Sequence, residues 1–360
     1  MAGVRSLASI QILRAAAAVS VVLFHACQWS QLDFGVGAAG VDLFFVISGF
    51  VLWTACETRP TTPASFLRAR ATRILPLYWI VTLAVGALTL WRPAALPIVH
   101  PGSGHLALSL LMIPHNDPAG GPFPLLPTGW TLTYEAFFYG VMALALAAPR
   151  DRRWAILSCV LLAAALIGFG YHGWYTLLAN PLLLEFLGGA LLGRLWLKGR
   201  FTRLPAGGGW GLIASAVVIL LTLQIGGFHD DFLRPFLWGP PAVMIVAGAL
   251  MLEAEGHIGS GRLARVLTRQ GDASYSLYLV QAPVIAAFAW LTPAWPAALR
   301  APASLVLAVA AGWLCWAALE KPLALALDRL RHLPAAHRRR RGRLGPAEQE
   351  ALAAVDADLA

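Results

Sequence analysis

The chain has 360 residues, of which 58% are hydrophobic and 12% charged, with a mean hydropathy of +0.67. A soluble globule carries roughly 25% charged residues, so this chain has too few to clothe one and reads as a lipid-facing protein. Its net charge of +9 does not imply a nucleic-acid partner, because the basic residues sit in short segments beside apolar runs, where they report membrane topology.

Apolar stretches recur along almost the whole length, at 8–27, 37–56, 74–91, 129–148, 154–170, 175–196, 210–226, 236–253, 273–292 and 302–322. Each is close to the roughly 17 to 25 residues that cross a bilayer as helix. The expected fold is therefore all-α, a polytopic transmembrane helical bundle of about ten spans. The apolar segment 104–113 ends at Pro114 and is too short to cross, so it is expected to be re-entrant or interfacial. The first run contains Arg14 and His25 and shows no clean cleavage site, which favours a retained helix over a removed leader. The four cysteines, Cys27, Cys56, Cys159 and Cys315, have no metal-ligand spacing and are expected to be small apolar fillers, with no metal in the protein.

With the N-terminus inside, alternation assigns Arg5, Arg59, Arg68, Arg70, Arg73, Arg150, Arg152, Arg153, Lys198, Arg200, Arg203, Arg262, Arg265 and Arg269 to the cytoplasmic face. Lys321, Arg329, Arg331, Arg338 to Arg341 and Arg343 follow the last span on the same side. Against these stand Arg92, Arg234 and Arg300 outside, which by the positive-inside rule predicts both termini in the cytoplasm; the expected location is the inner membrane. The expected organisation is one membrane domain over 1–332 and a basic, disordered tail over 333–360.

Ionisable groups inside a membrane are costly, so each is a candidate for function. Arg14 and His25 are eleven residues apart, which puts them about 20° from alignment on one helical face and about 16 Å apart along the axis. His25 lies toward the outer end and Arg14 toward the inner. In the second run, GVDLFFVISGFVL at 40–52, Asp42 is expected near the depth of His25 and is placed to orient or charge-pair the imidazole. Ser48 lies deeper, as a hydroxyl able to bond backbone or substrate, and Gly49 permits close helix approach. In WTLTYEAFFYG at 130–140, Glu135 is expected about one and a half turns below the outer boundary. His25, Asp42 and Glu135 would then meet at one depth on three helices, as a general base with an orienting acid requires. On the inner side, RARATRILPLYW at 68–79 places Arg68, Arg70 and Arg73 just before the third span, a pattern suited to phosphate as well as to topology.

Together with SYSLYL at 274–279 and Glu320-Lys321-Pro322, these pieces resemble the acyltransferase family 3 membrane proteins, in family order and over nearly the whole chain. The resemblance implies an O-acyltransferase whose donor is a cytoplasmic acyl-CoA, acetyl-CoA in the expected case, and whose acceptor is a hydroxyl of a carbohydrate, glycolipid or related molecule. It implies an essential histidine at His25, an acidic residue at Glu135, and donor contacts from Arg14 and from Arg70 and Arg73, the latter matching an RxxR pair. Ser48 is assigned to the donor side with them, and Asp42 to the catalytic side. Gln281 stands where many members carry His, so that position keeps hydrogen bonding but not acid–base chemistry. A transporter using the buried His, Asp and Glu as a proton relay is the alternative, and it predicts an internal repeat that the sequence does not display.

Overall fold

The computed structural model describes residues 7–170, 179–203, 207–227, 233–259 and 261–332. Arg5, the expected tail at 333–360 and the start of the sixth expected span at 175–178 lie outside the described residues. All regular elements among the described residues are helical, the state that satisfies every backbone group without water. In chain order they are α1 (Ala8–Trp29), a 3-10 turn (Gly35–Ala39) that runs into α2 (Gly40–Thr58), α3 (Pro63–Trp91), α4 (Ser103–Leu110) and α5 (Trp130–Ala147). Then come α6 (Arg150–Gly170), α7 (Leu183–Leu197), α8 (Gly208–Ile225), α9 (Arg234–Leu237), α10 (Gly239–Ala254), α11 (Arg262–Asp272), α12 (Ser274–Leu291) and α13 (Ala297–Cys315). A π-helical turn, Trp316–Glu320, joins α13 to α14 (Lys321–His332).

Seven stretches among the described residues are long and apolar enough to cross a membrane: α1, Gly35–Thr58, α3, α8, Arg234–Ala254, α12 and Ala297–Arg329. They make the chain a multi-pass membrane protein. The other three expected spans fall on α5, α6 and α7, which are less clear-cut. The first turns of α5 carry Thr131, Thr133 and Glu135, and α6 opens on Arg150, Asp151, Arg152 and Arg153. Helix α7 has 15 residues, about 22 Å against a hydrocarbon core of about 30 Å. The segment expected to be re-entrant forms α4, whose eight residues cannot span. It is strapped to α3 by Tyr78 and Trp79, which donate to the carbonyls of Ser109 and Leu110 at 2.8 Å each.

Helix α3 begins eleven residues before the expected span. Thr62 and Ser65 form a capping box with Pro63 at the first helical position, a strong start signal, and nothing between Pro63 and the apolar run breaks the helix. Arg68, Arg70 and Arg73 therefore ride on α3 itself, not on a loop ahead of it.

The tightest packing is between α2 and α7. A Cβ on Gly49 would stand 2.1 Å from the Phe186 carbonyl oxygen, and one on Gly189 would stand 1.9 Å from that of Val46, so the two backbones touch. Phe186 then stacks between Phe45 and Phe138, with ring centroids 4.6 Å away on either side. Gly189→Ala is expected to cost at least about 3 kcal/mol, the upper part of the range for overpacking, because backbone cannot move aside like a side chain. Gly211→Ala, with no atom within 4 Å of its Cβ, is expected to be neutral or stabilising. Thermal unfolding of the two purified variants checks the contrast.

Helix α1 occupies the middle of the bundle. Its Ala17 and Val21 receive Gly40 of α2, its Gln11 receives Gly271 of α11, and its Ala18, Val22 and Ala26 pack with Leu277 and Ile285 of α12 and Ala308 of α13.

Candidate active site

Arg14 is half-buried on α1, and its Nη2 donates to the Ser274 hydroxyl at the start of α12 at 3.0 Å. Arg73, Glu320, Glu135 and Asp272 all lie within electrostatic reach of it. Glu135 is four residues before Tyr139 on α5, one turn of helix, and accepts its phenol hydrogen at 2.5 Å. The other carboxylate oxygen accepts from Ser48 of α2 at 3.1 Å. Arg70 reaches in from α3 to the same region, in the field of Tyr139, Arg73 and Glu135, and its Nε has no hydrogen-bond partner among the described residues. Tyr275 donates to the Ile74 carbonyl at 2.8 Å, and Ser276 bonds Glu320 at 2.5 Å, which ties α12 to α3 and to the π-turn beside this cluster. Five residues singled out in the sequence, Arg14, Ser48, Arg70, Arg73 and Glu135, are thus brought together around one carboxylate.

His25 and Asp42 are not part of that group. His25 is half-buried, its ring 4.8 Å from that of Phe24, and its Nδ1 lies 3.3 Å from the Gln28 side-chain oxygen. Asp42 is fully buried and pairs with Arg234, which reaches it through Nε at 3.1 Å to both oxygens and through Nη2 at 2.7 Å. The same guanidinium donates to the Ala38 carbonyl at 2.9 Å and lies 4.9 and 5.8 Å from the rings of Trp238 and Trp130. Glu185 of α7 sits within electrostatic reach of the pair, 2% exposed.

The expectation of one shared depth for His25, Asp42 and Glu135 is corrected here. The 3-10 turn dips inward, so that Ser20 donates to the Gly37 carbonyl at 3.0 Å and α2 starts against Ala17 and Val21. Val21 is one turn, about 6 Å, below His25, and Asp42 is about 3 Å further in than Gly40. Ser48, the partner of Glu135, lies another six residues, about 9 Å, along α2. The three groups form a descending series, and the carboxylate at the bottom belongs with the arginines.

Sequence reasoning passed over Arg234 and Glu185. Arg234 was placed in an outer loop, yet it opens α9 immediately before an apolar run, and Glu185 interrupts PLLLEFLGG; a charge so placed needs a buried partner. The connection between α3 and α5 holds a second polar group. His105 and His115 share a hydrogen bond of 2.7 Å, and His100 pairs with Asp117 at 3.2 Å. Burial, and next the neighbouring His115, hold His105 below the usual imidazole range. Cys27, Cys56 and Cys315 are buried and Cys159 is exposed, all as free thiols. Among the described residues no group of three or more His, Cys, Asp or Glu is placed to hold a metal ion.

The Acyltransferase domain family model matches residues 7–317. "Exopolysaccharide production protein ExoZ" of Rhizobium meliloti (strain 1021) is 37% identical over 313 residues, covering 84% of this chain and 94% of that protein. "Nodulation protein 10" of Rhizobium leguminosarum bv. viciae is 26% identical over 362 residues, covering 87% of this chain and 92% of the relative. "Peptidoglycan O-acetyltransferase OatA" of Listeria monocytogenes serovar 1/2a is 26% identical over 314 residues, 77% of this chain but 49% of that longer protein. No solved structure matches the chain.

Proposed function

The chain belongs to acyltransferase family 3 and is an acyltransferase, and from that premise we propose that it transfers an acetyl group from acetyl-CoA to a hydroxyl of a saccharide-bearing acceptor. The observation that carries this reading is the placement of Arg14, Arg70 and Arg73 around Glu135 at one end of α1, with His25 on the same helical face about 16 Å away. Guanidinium groups suit the phosphates of a CoA nucleotide, and the pantetheine arm of CoA is of comparable length to the gap. Glu135, fixed by Ser48 and Tyr139, keeps the arginines in place between turnovers.

In the proposed reaction neutral His25 takes the proton of the acceptor hydroxyl as its oxygen attacks the thioester carbonyl. The C–S bond breaks, the oxygen ester forms, and the departing sulfur recovers a proton from the imidazolium. Asp42, committed to Arg234, anchors α2 to α9 instead of holding the imidazole. A saccharide acceptor is favoured by two relatives, one named for exopolysaccharide production and one a peptidoglycan O-acetyltransferase. The topology that accommodates an inside donor has ten crossings, counting α5, α6 and α7, with both termini in the cytoplasm of an inner-membrane protein, one membrane domain up to residue 332, and a basic tail beyond it.

Incubating the protein in membranes with radiolabelled acetyl-CoA tests the reading, which predicts label in a glycan or glycolipid fraction. Replacing Arg70 and Arg73 together by Gln is expected to raise the KM for acetyl-CoA by about 10- to 100-fold, as the loss of charge-assisted bonds requires. A donor dependence unchanged by that double substitution would remove the phosphate role from α3.

A further inference from the structure

One face of α12 carries Ser274, Tyr278, Gln281 and Ile285, spaced i, i+4, i+7 and i+11. Its polar members fare differently. Ser274 accepts from Arg14 at 3.0 Å, and the Tyr278 hydroxyl accepts from Thr131 at 3.0 Å. Gln281 is 0% exposed, yet neither its Oε1 nor its Nε2 has a hydrogen-bond partner among the described residues. A primary amide fully buried with nothing to bond is disfavoured against a leucine of similar size, so its presence calls for a polar group that reaches it during function.

The position of Gln281 indicates what that group is. Helices α1 and α12 run side by side, with Arg14 level with Ser274 and with Ala18, Val22 and Ala26 beside Leu277 and Ile285. Gln281 is seven residues beyond Ser274, about 10 Å along the axis, and His25 is about 16 Å beyond Arg14. Gln281 therefore stands roughly two-thirds of the way from the arginine cluster to the imidazole. A CoA thioester bridging those two ends presents secondary amides from its pantetheine arm along that interval, and each offers one donor and one acceptor. A glutamine amide complements both.

We propose that Gln281 is a positioning residue for the acyl donor, hydrogen-bonding a pantetheine amide and fixing how far the thioester advances toward His25. This inference rests on the acyl-CoA reading above. Binding measurements on the purified full chain test it without knowledge of the acceptor. The probes are acetyl-CoA and 3′-phosphoadenosine 5′-diphosphate, which keeps the nucleotide phosphates but lacks the arm. In Gln281→Leu, acetyl-CoA is expected to bind about tenfold more weakly, as for one or two lost hydrogen bonds. The nucleotide should bind within twofold of the wild type, and the ligand-free variant should unfold at the same temperature or higher. Gln281→Met should behave alike. Wild type that binds acetyl-CoA, with Gln281→Leu binding it equally well, overturns this inference alone. Weakening of both probes together with a lower unfolding temperature also overturns it, because a merely structural residue behaves so. Wild type that binds neither probe overturns the acyl-CoA reading and this inference with it.

Discussion

His25→Ala is expected to reduce turnover by about 10²- to 10⁴-fold, the usual contribution of a general base, while the protein still inserts and unfolds near the wild-type temperature. The two halves of this expectation come from the same geometry. His25 is half-buried and its hydrogen bond to Gln28 is long, at 3.3 Å, so little of the fold depends on it. An imidazole so loosely held is free to meet a substrate hydroxyl. His25→Gln separates the roles further, since it keeps hydrogen bonding but cannot accept a proton at neutral pH. It should be as inactive as the alanine variant. Turnover within a few-fold of wild type in either protein, measured with radiolabelled acetyl-CoA, would take the chemistry away from this residue.

Breaking the Asp42–Arg234 pair should have its largest effect on stability. Arg234→Met leaves a fully buried carboxylate without its cation, beside the equally buried Glu185. Removing one partner of a buried pair costs about 3–5 kcal/mol. Asp42→Asn should cost a similar amount, because it removes the carboxylate charge that the 8% exposed Arg234 guanidinium meets through both Nε and Nη2. The double variant Asp42→Asn with Arg234→Met should be more stable than the sum of the single losses predicts, and a double-mutant cycle on unfolding measures the difference. The alternative assignment, Asp42 as the acid that orients His25, predicts a different pattern. Asp42→Asn would then lower kcat strongly at an unchanged unfolding temperature, and that result would return Asp42 to the catalytic group.

Much of the helical architecture was legible in composition, because runs of about 20 apolar residues have few alternatives to helix. The alignment of Arg14 with His25 was readable too, since helical periodicity fixes facing within a single element. What the sequence did not carry was depth between elements. The 3-10 turn at Gly35–Ala39 starts α2 level with Ser20, and that offset alone separates Asp42 from His25. Partnerships across the chain were equally hidden. Arg234 and Asp42 are 192 positions apart, and Ser48 and Glu135 are 87 apart. No local rule specifies such pairs, although a charge inside an apolar run announces that some partner exists. The start of α3 was a different case, since Thr62, Pro63 and Ser65 spell a helix N-terminus that the hydropathy pattern overrode.

Helix α3 has 29 residues, about 43 Å of rod against roughly 30 Å of hydrocarbon, so about a third of it projects past the oily layer or the whole leans steeply. Arg70 and Arg73 are mounted on this helix, so in their proposed role no loop has to settle when a polyanion arrives. Only side-chain freedom is then surrendered on capture, about 0.5–1.5 kcal/mol for each group immobilised. Near its middle the helix is clasped to α4 through Tyr78 and Trp79, five and six residues beyond Arg73, so a tug on the guanidinium groups reaches α4 through less than two turns of helix.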